Sequence, residues 1–147
     1  MTRLRRDERG QAITEFALVL PVFLLTVFGV IDLARAVWEE NELAFAAREG
    51  TRYAIVHGAY SGAAVGPGSA TYTAPDQDTA VTSAVLQYTT GIPNVTVRST
   101  WPDGDNDRNS RVAVDVTAPF LPLPSQYLLN GALSVTLRGG SMLIIQR

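Results

Sequence analysis

The feature that most constrains this chain is an uncharged apolar run near its N-terminus, from Phe16 to Ile31. Extended back to Ala12, the run reaches about 20 residues, the length with which an α-helix crosses a bilayer, but it then includes Glu15. A carboxylate at membrane depth costs ~2.5–3.5 kcal/mol on insertion scales, so this acid is either solvated at the headgroups or functional. We therefore predict a transmembrane segment over residues 11–31.

Charge and composition narrow the classes of function. Four arginines crowd the N-terminus and, by the positive-inside rule, hold it in the cytoplasm: Arg3, Arg5, Arg6 and Arg9. The net charge is only −2, and no basic stripe with interleaved aromatic residues follows, so we expect no nucleic-acid partner. The chain has no cysteine, which excludes a disulfide scaffold, a thiolate metal site and a cysteine nucleophile.

Two ordinary membrane signals are compatible with the first 56 residues. A secretory signal peptide would be cut after the small-x-small sequence Ala34-Arg35-Ala36. Asp32 and Arg35 put charges where that site should be neutral, and the helical pattern runs straight through the cut. An uncleaved signal anchor would instead retain the whole segment, with Glu15 solvated at the headgroups.

A third interpretation comes from the sequence between the arginines and the span, Arg9-Gly10-Gln11-Ala12-Ile13-Thr14-Glu15-Phe16. A basic leader ends in glycine, and an acid is then followed at once by an aromatic residue and an apolar run. This segment resembles the prepilin-peptidase site of type IV pilins, in the form found in Flp/Tad pilins and TadE-like pseudopilins. The resemblance implies that residues 1–10 are a cytoplasmic leader, that the peptidase cuts after Gly10, and that Gln11 becomes the N-terminus. Glu15 and Phe16 then take the acidic and aromatic positions of the family.

The physical chemistry of such a site agrees with these residues. Glycine before the cut leaves room for a membrane aspartyl protease to approach the backbone at Gly10. Cleavage exposes an α-amine beside an apolar helix, and Glu15 of the same or a neighbouring chain supplies its anionic partner. A paired charge is tolerated in lipid where a lone charge is not.

Beyond the span, residues 32–56 continue as an amphipathic helix outside the membrane. Small and apolar residues recur at alternating spacings of three and four, the pattern of one helical face, except that Glu40 breaks the stripe: Leu33, Ala36, Leu43, Ala47, Gly50 and Ala54. Charged residues lie opposite: Arg35, Glu39, Glu42, Arg48, Glu49 and Arg52. Arg35 with Glu39, and Glu49 with Arg52, have the spacing of helical neighbours. We expect the apolar face to pack on the chain's own domain; packing on another chain is the alternative.

The block Ala46–Ala54 adds to the resemblance. TadE-like proteins typically carry an Ala-Arg-x-Gly-x-Arg-Tyr-Ala-like run at this distance from the span, and this chain has Arg48, Gly50, Arg52 and Tyr53 at those positions. The resemblance covers roughly residues 11–54. It implies as partners a prepilin peptidase, other Tad/Flp pilins and pseudopilins, and the assembly platform in the bacterial cytoplasmic membrane.

Residues 57–147 are predicted to form an extracytoplasmic α+β domain. Residues 58–75 are rich in Gly, Ala, Ser and Thr and indicate a mobile loop, and residues 76–90 indicate a short helix capped by Asp76 or Asp78. Alternating runs at 95–98 and 112–116 predict a hairpin around a charged loop. Residues 133–145 predict one or two further strands, interrupted at Gly139-Gly140. The expected fold class is α+β: a long transmembrane and amphipathic N-terminal helix, then a short helix and a small antiparallel β-sheet.

Two features carry possible chemistry. Asp103, Asp105 and Asp107 alternate like the start of a calcium loop, but the EF-hand pattern fails at Arg108 and at Val114. A weak calcium site and an ordinary solvated hairpin loop are the two interpretations; we expect no other cofactor. The only histidine, His57, has no nucleophile or orienting partner marked in the sequence, so we expect no enzyme activity.

The sequence thus favours a TadE-like minor pilin or pseudopilin, a structural and non-catalytic component of Tad/Flp pilus assembly. It would be a single-pass protein of the bacterial cytoplasmic membrane with its C-terminal domain outside. The alternative function is a membrane-anchored extracytoplasmic binding domain unrelated to pili.

Overall fold

The structure, a computed structural model, describes residues 4–74, 79–128 and 130–146. Its elements in chain order are α1 (Leu4–Val56), β1 (Ala70–Thr73), α2 (Ala80–Leu86), β2 (Thr96–Thr100), β3 (Arg111–Phe120), α3 (Leu123–Leu128) and β4 (Val135–Ile144). A long helix with two short helices and one antiparallel sheet confirms the predicted α+β class.

The segment of α1 from residue 10 to residue 31 is exposed along its whole length. Its apolar side chains are exposed all round, including Ile13, Leu18 and Val30. The most apolar 18-residue window of the helix has a mean hydropathy of 2.5, and only 6% of that window is buried. An apolar surface of this size is unfavourable in water, and its length and composition fit a single-pass membrane anchor.

The C-terminal half of α1 is part of the core of the outer domain. The predicted stripe is confirmed from Leu43 onward, where five side chains have no exposed surface: Leu43, Ala46, Ala47, Thr51 and Ala54. The first turns of the predicted stripe are wrong, because Leu33 is 67% exposed while Glu39, predicted on the charged face, is buried. Asp32 is also buried, and it lies seven residues, or about two turns, before Glu39 on the same side of the helix.

The sheet has the order β1-β2-β3-β4, with each neighbouring pair antiparallel. The predicted hairpin around the charged loop is confirmed as β2 and β3, with Arg98 opposite Asp115. Alternate residues of these strands are buried in one core with α1 and α2, as period-two side-chain alternation requires: Val97, Val112, Val114 and Val116.

Two predicted irregular regions are in fact strands. Part of the segment predicted as a mobile loop is β1, in which Ala70 to Thr73 pair with β2. The interruption predicted at Gly139-Gly140 does not occur, because β4 pairs with β3 without a break from Val135 to Ile144. A Cβ on Gly139 would lie 2.3 Å from the backbone of Leu43 and Ala44. Gly139 therefore allows α1 to lie directly on β4, and does not form a turn.

The short helix predicted within residues 76–90 is confirmed as α2, but it is only seven residues long. Its cap is Thr79, whose hydroxyl accepts the N–H of Thr82 at 3.1 Å. The predicted caps Asp76 and Asp78 lie outside the described residues. α2 packs against α1, with Tyr88, just beyond its end, in edge-to-face contact with Phe45.

Candidate functional site

The predicted cleavage site lies on an open helical surface. α1 runs continuously through Gly10 and Gln11, and both residues are exposed. A Cβ built on Gly10 would meet no atom within 4 Å. The fold therefore does not require glycine here, which leaves recognition by another protein as a reason for its presence.

Glu15 lies one helical turn beyond the predicted new N-terminus. The side-chain amide of Gln11 donates to the Glu15 carboxylate at 2.8 Å, and the Thr14 hydroxyl donates to the carbonyl of Gly10 at 3.0 Å. An α-amine on Gln11 would thus lie on the same face of the helix as this carboxylate. Phe16 follows on the exposed apolar surface.

In the family motif, glycine has a clear packing role. A Cβ on Gly50 would lie 2.4 Å from Val85 of α2 and 3.4 Å from Val114 of β3. Any larger residue would push apart the helix, α2 and the sheet. Gly50 lies on the predicted apolar face of the helix, and its packing joins α1, α2 and the sheet.

The other motif residues lie toward the surface. Arg48 and Arg52 are exposed, and Arg52 pairs with Glu49 at 3.0 Å, as the spacing predicts. Arg52 and Tyr53 line a groove between α1 and α2, together with Ser83, Gln87 and Tyr88.

Tyr53 also supports the end of α1. Its ring stacks on His57 with 4.1 Å between centroids, and the Nδ1 of His57 lies 2.8 Å from the carbonyl of Tyr53. A carbonyl oxygen only accepts, so this nitrogen is the donor. The only histidine of the chain is therefore engaged in closing the last turn of the helix.

The acidic loop does not bring its three carboxylates together. Asp103 accepts both the backbone N–H of Arg111 at 2.7 Å and its guanidinium, while Asp105 accepts the backbone N–H of Asp107 at 3.2 Å. The hydrogen bonds from the Arg111 side chain, and then from its backbone, lower the pKa of Asp103 to about 2. Within residues 4–74, 79–128 and 130–146, no three His, Cys, Asp or Glu residues are grouped to hold a metal ion.

Sequence reasoning missed the residue that organises this loop. Asn106 is buried; its side-chain oxygen accepts the indole N–H of Trp101 at 3.0 Å, and its amide donates to the carbonyl of Val65 at 2.6 Å. Its backbone carbonyl accepts the N–H of Ala59 at 2.9 Å. An asparagine between two aspartates is predicted to be exposed to solvent. Its burial could not be predicted from the neighbouring residues, because its partners Val65 and Ala59 are distant in the sequence.

A second missed cluster lies where the span meets the outer domain. Buried Asp32 accepts from Arg35 at 3.1 Å and from the backbone N–H of Leu123 at 2.9 Å. Arg35 also lies 3.6 Å from Glu39, a predicted pair, and 5.1 Å above the ring of Phe120. The spacing of these charges on one helical face was visible in the sequence, but their burial depends on a segment about 90 residues away.

Comparison with known families gives a match to the family described as TadE-like protein, over residues 10–52. The match begins at the predicted cleavage glycine and includes Glu15, Phe16, Arg48, Gly50 and Arg52, while Tyr53 follows directly after it. The predicted resemblance is confirmed over these residues. Neither the curated proteins nor the solved structures give a match.

Proposed function

Because residues 10–52 match the TadE-like family, we propose that the chain is a minor pilin or pseudopilin that takes part in assembling a Tad/Flp-type pilus. It acts as a structural, non-catalytic subunit of the bacterial cytoplasmic membrane, with the C-terminal domain outside. Its partners are a prepilin peptidase, other Tad/Flp pilins and pseudopilins, and the assembly platform. The observation that carries the proposal is a family match that starts at Gly10 and continues through one unbroken helix.

Two features of α1 support this role. Gly10 is exposed and an added Cβ would meet no atom within 4 Å, so no side chain of the described residues packs over the predicted cleavage site. Glu15 lies within one turn of Gln11, at the start of a helix whose apolar face is open to lipid or to neighbouring helices. In a bundle of such helices, each new α-amine meets a carboxylate of its own or of an adjacent chain.

Cleavage after Gly10 is tested with Gly10→Val in cells that make the cognate peptidase. The branched side chain crowds the scissile backbone, so the variant should retain the ten-residue leader while the wild type begins at Gln11. Gly29→Val is the matched control, because Gly29 lies in the same helix and also has nothing within 4 Å of an added Cβ. Intact-mass measurement and N-terminal sequencing give the result.

The outcomes separate the competing interpretations. A wild-type chain that keeps residues 1–9 would contradict the pseudopilin proposal and favour an uncleaved anchor carrying a binding domain. A chain that begins at Val37 would instead establish a secretory signal peptide, cut after Ala36.

A further inference from the structure

The outer domain has a long uncharged stretch of its own. No charged residue lies between Asp115 and Arg138, and α3 lies in the middle of this segment. We refer to residues 121–128 and 130–133 as the α3 loop. Its exposed side chains include large apolar and aromatic groups at Leu121, Tyr127 and Leu133, and Tyr127 is 76% exposed. Such a surface is unusual on a domain that faces only water.

The α3 loop lies beside the membrane-spanning half of α1. Leu123, Pro124 and Tyr127 form one wall of an apolar groove whose other wall is formed by α1 residues: Pro21, Leu24, Leu25 and Phe28. With a helical rise of 1.5 Å per residue, Pro21 lies ~15 Å and Phe28 ~5 Å below Ile31, the predicted outer end of the span. Since the apolar core of a bilayer is about 30 Å thick, α3 lies at the depth of its outer half.

The backbone of the α3 loop is hydrogen-bonded in a way that suits this depth. The N–H of Leu123 donates to Asp32, and that of Gly131 donates to the carbonyl of Ser125 at 2.8 Å. The buried hydroxyl of Ser125 bonds both the carbonyl and the N–H of Leu133, each at 2.9 Å. In the hydrocarbon region backbone polar groups must be satisfied within the protein, and these bonds satisfy the groups of the α3 loop named here.

We propose that the α3 loop inserts into the outer leaflet beside the span, as a second membrane contact of the outer domain. This inference rests on the membrane placement of α1 in the proposed function. The occupant of the surface is lipid, because the groove continues the exposed apolar surface of the span and is lined by apolar and aromatic side chains alone. Tyr127 is an interfacial anchor, with its ring among the acyl chains and its hydroxyl at the headgroups. With both the span of α1 and the α3 loop in the membrane, the tilt of the outer domain relative to the bilayer is fixed. The span alone would leave this tilt free.

The chain lacks cysteine, so depth is measured with single cysteines in the full-length protein. Tyr127→Cys reports on α3, and Tyr60→Cys is its matched control, a tyrosine of the outer domain that is 78% exposed. Phe23→Cys reports on the span. Each variant carries an environment-sensitive fluorophore in phosphatidylcholine vesicles, and two quenchers are compared: lipid with a nitroxide high on its acyl chain, and aqueous iodide. Circular dichroism checks that the variants have equal helix content.

Insertion predicts that the label at position 127 loses most of its fluorescence to nitroxide lipid and little to iodide, with the reverse at position 60. Strong iodide quenching at position 127 would place α3 in water and overturn the inference. Protection from both quenchers would also overturn it, in favour of a covering protein surface. If aqueous iodide quenches the label at position 23, α1 does not span the bilayer, and the membrane placement in the proposed function fails together with the inference.

Discussion

The two halves of α1 differ in what surrounds them, although they form one unbroken helix of 53 residues. From residue 10 to residue 31 the side chains are mostly apolar and all exposed, so lipid or neighbouring helices must cover them. From Leu43 onward the buried face consists largely of small residues that fit against the chain's own sheet. One half therefore interacts outward and the other inward. Substitutions in the first half should alter assembly without unfolding the domain. Substitutions in the second half should destabilise the domain without changing leader cleavage or membrane insertion.

The largest effect is expected from Glu15→Leu in the outward half. In a pilus subunit, Glu15 neutralises an α-amine within a packed bundle, and its loss leaves that amine unpaired in low dielectric. The variant should be cleaved and inserted normally, and it should abolish surface pili in a deletion strain. Glu15→Asp should be intermediate, because its carboxylate has a shorter reach. Mature size, membrane fractionation and pilus counts measure the three steps.

Thr14→Leu is the control for a general effect of removing a polar group from this turn, since Thr14 only donates to the carbonyl of Gly10. It should retain pili. Wild-type piliation with Glu15→Leu would remove the carboxylate from the mechanism. It would favour the alternative of a membrane-anchored binding domain, in which loss of an acid near the membrane surface is harmless or strengthens insertion.

The next effect is expected where the inward half of α1 meets β4. Gly139→Ala puts a methyl group 2.3 Å from the backbone of Leu43 and Ala44, which cannot move aside as a side chain can. Overpacking of this kind costs ~1–3 kcal/mol and occasionally more, so we expect a clear fall in Tm of the solubilised full chain. Leader cleavage and membrane insertion should remain normal.

Gly62→Ala is the matched control, because nothing lies within 4 Å of its added Cβ. Its Tm should stay close to that of the wild type. If Gly139→Ala melted with Gly62→Ala, the close packing of α1 on β4 would be wrong, and the inward half would depend on some other contact.

The outward half was the more predictable from sequence, for a physical reason. A bilayer imposes one local requirement, a sufficient length of apolar residues, which Phe16 to Ile31 meet within a single window. The hairpin of β2 and β3 was predictable too, because period-two alternation is local. Gly139 was mistaken for a break, since its role depends on Leu43 almost 100 residues earlier. The burial of Asp32 was not predicted for the same reason, because its hydrogen-bond partner Leu123 is distant in the sequence.

The candidate site divides in the same way. Gly10, Gln11 and Glu15 were predicted as a site because the proposed cleavage and charge pairing would involve residues close together in the sequence. Gly50 was recognisable as part of the apolar face of α1, but the surfaces that it joins were not. The role of Asn106 required the fold, because one of its two side-chain partners, Val65, lies 41 residues earlier in the chain, although the other, Trp101, is near in sequence.

The smallest effect on stability is expected at Asp103, which lies outside both halves of α1. It should appear as a dependence of the Tm on pH. Hydrogen bonds from Arg111 lower the pKa of Asp103 from 3.8 to about 2, so the native state holds the charged form more tightly than the unfolded chain. The contribution to stability is therefore complete above pH ~4, the ordinary range of an aspartate, and is lost as the pH falls toward 2. The Tm difference between wild type and Asp103→Asn should be small at pH 5 and vanish near pH 2, with Asp105→Asn as the control.

Because Arg111 already occupies both oxygens of Asp103, calcium must displace an ion pair to bind here. Millimolar calcium should leave the Tm of the wild type unchanged, and a rise that Asp103→Asn abolishes would establish the calcium site instead, by mass action on the folded state.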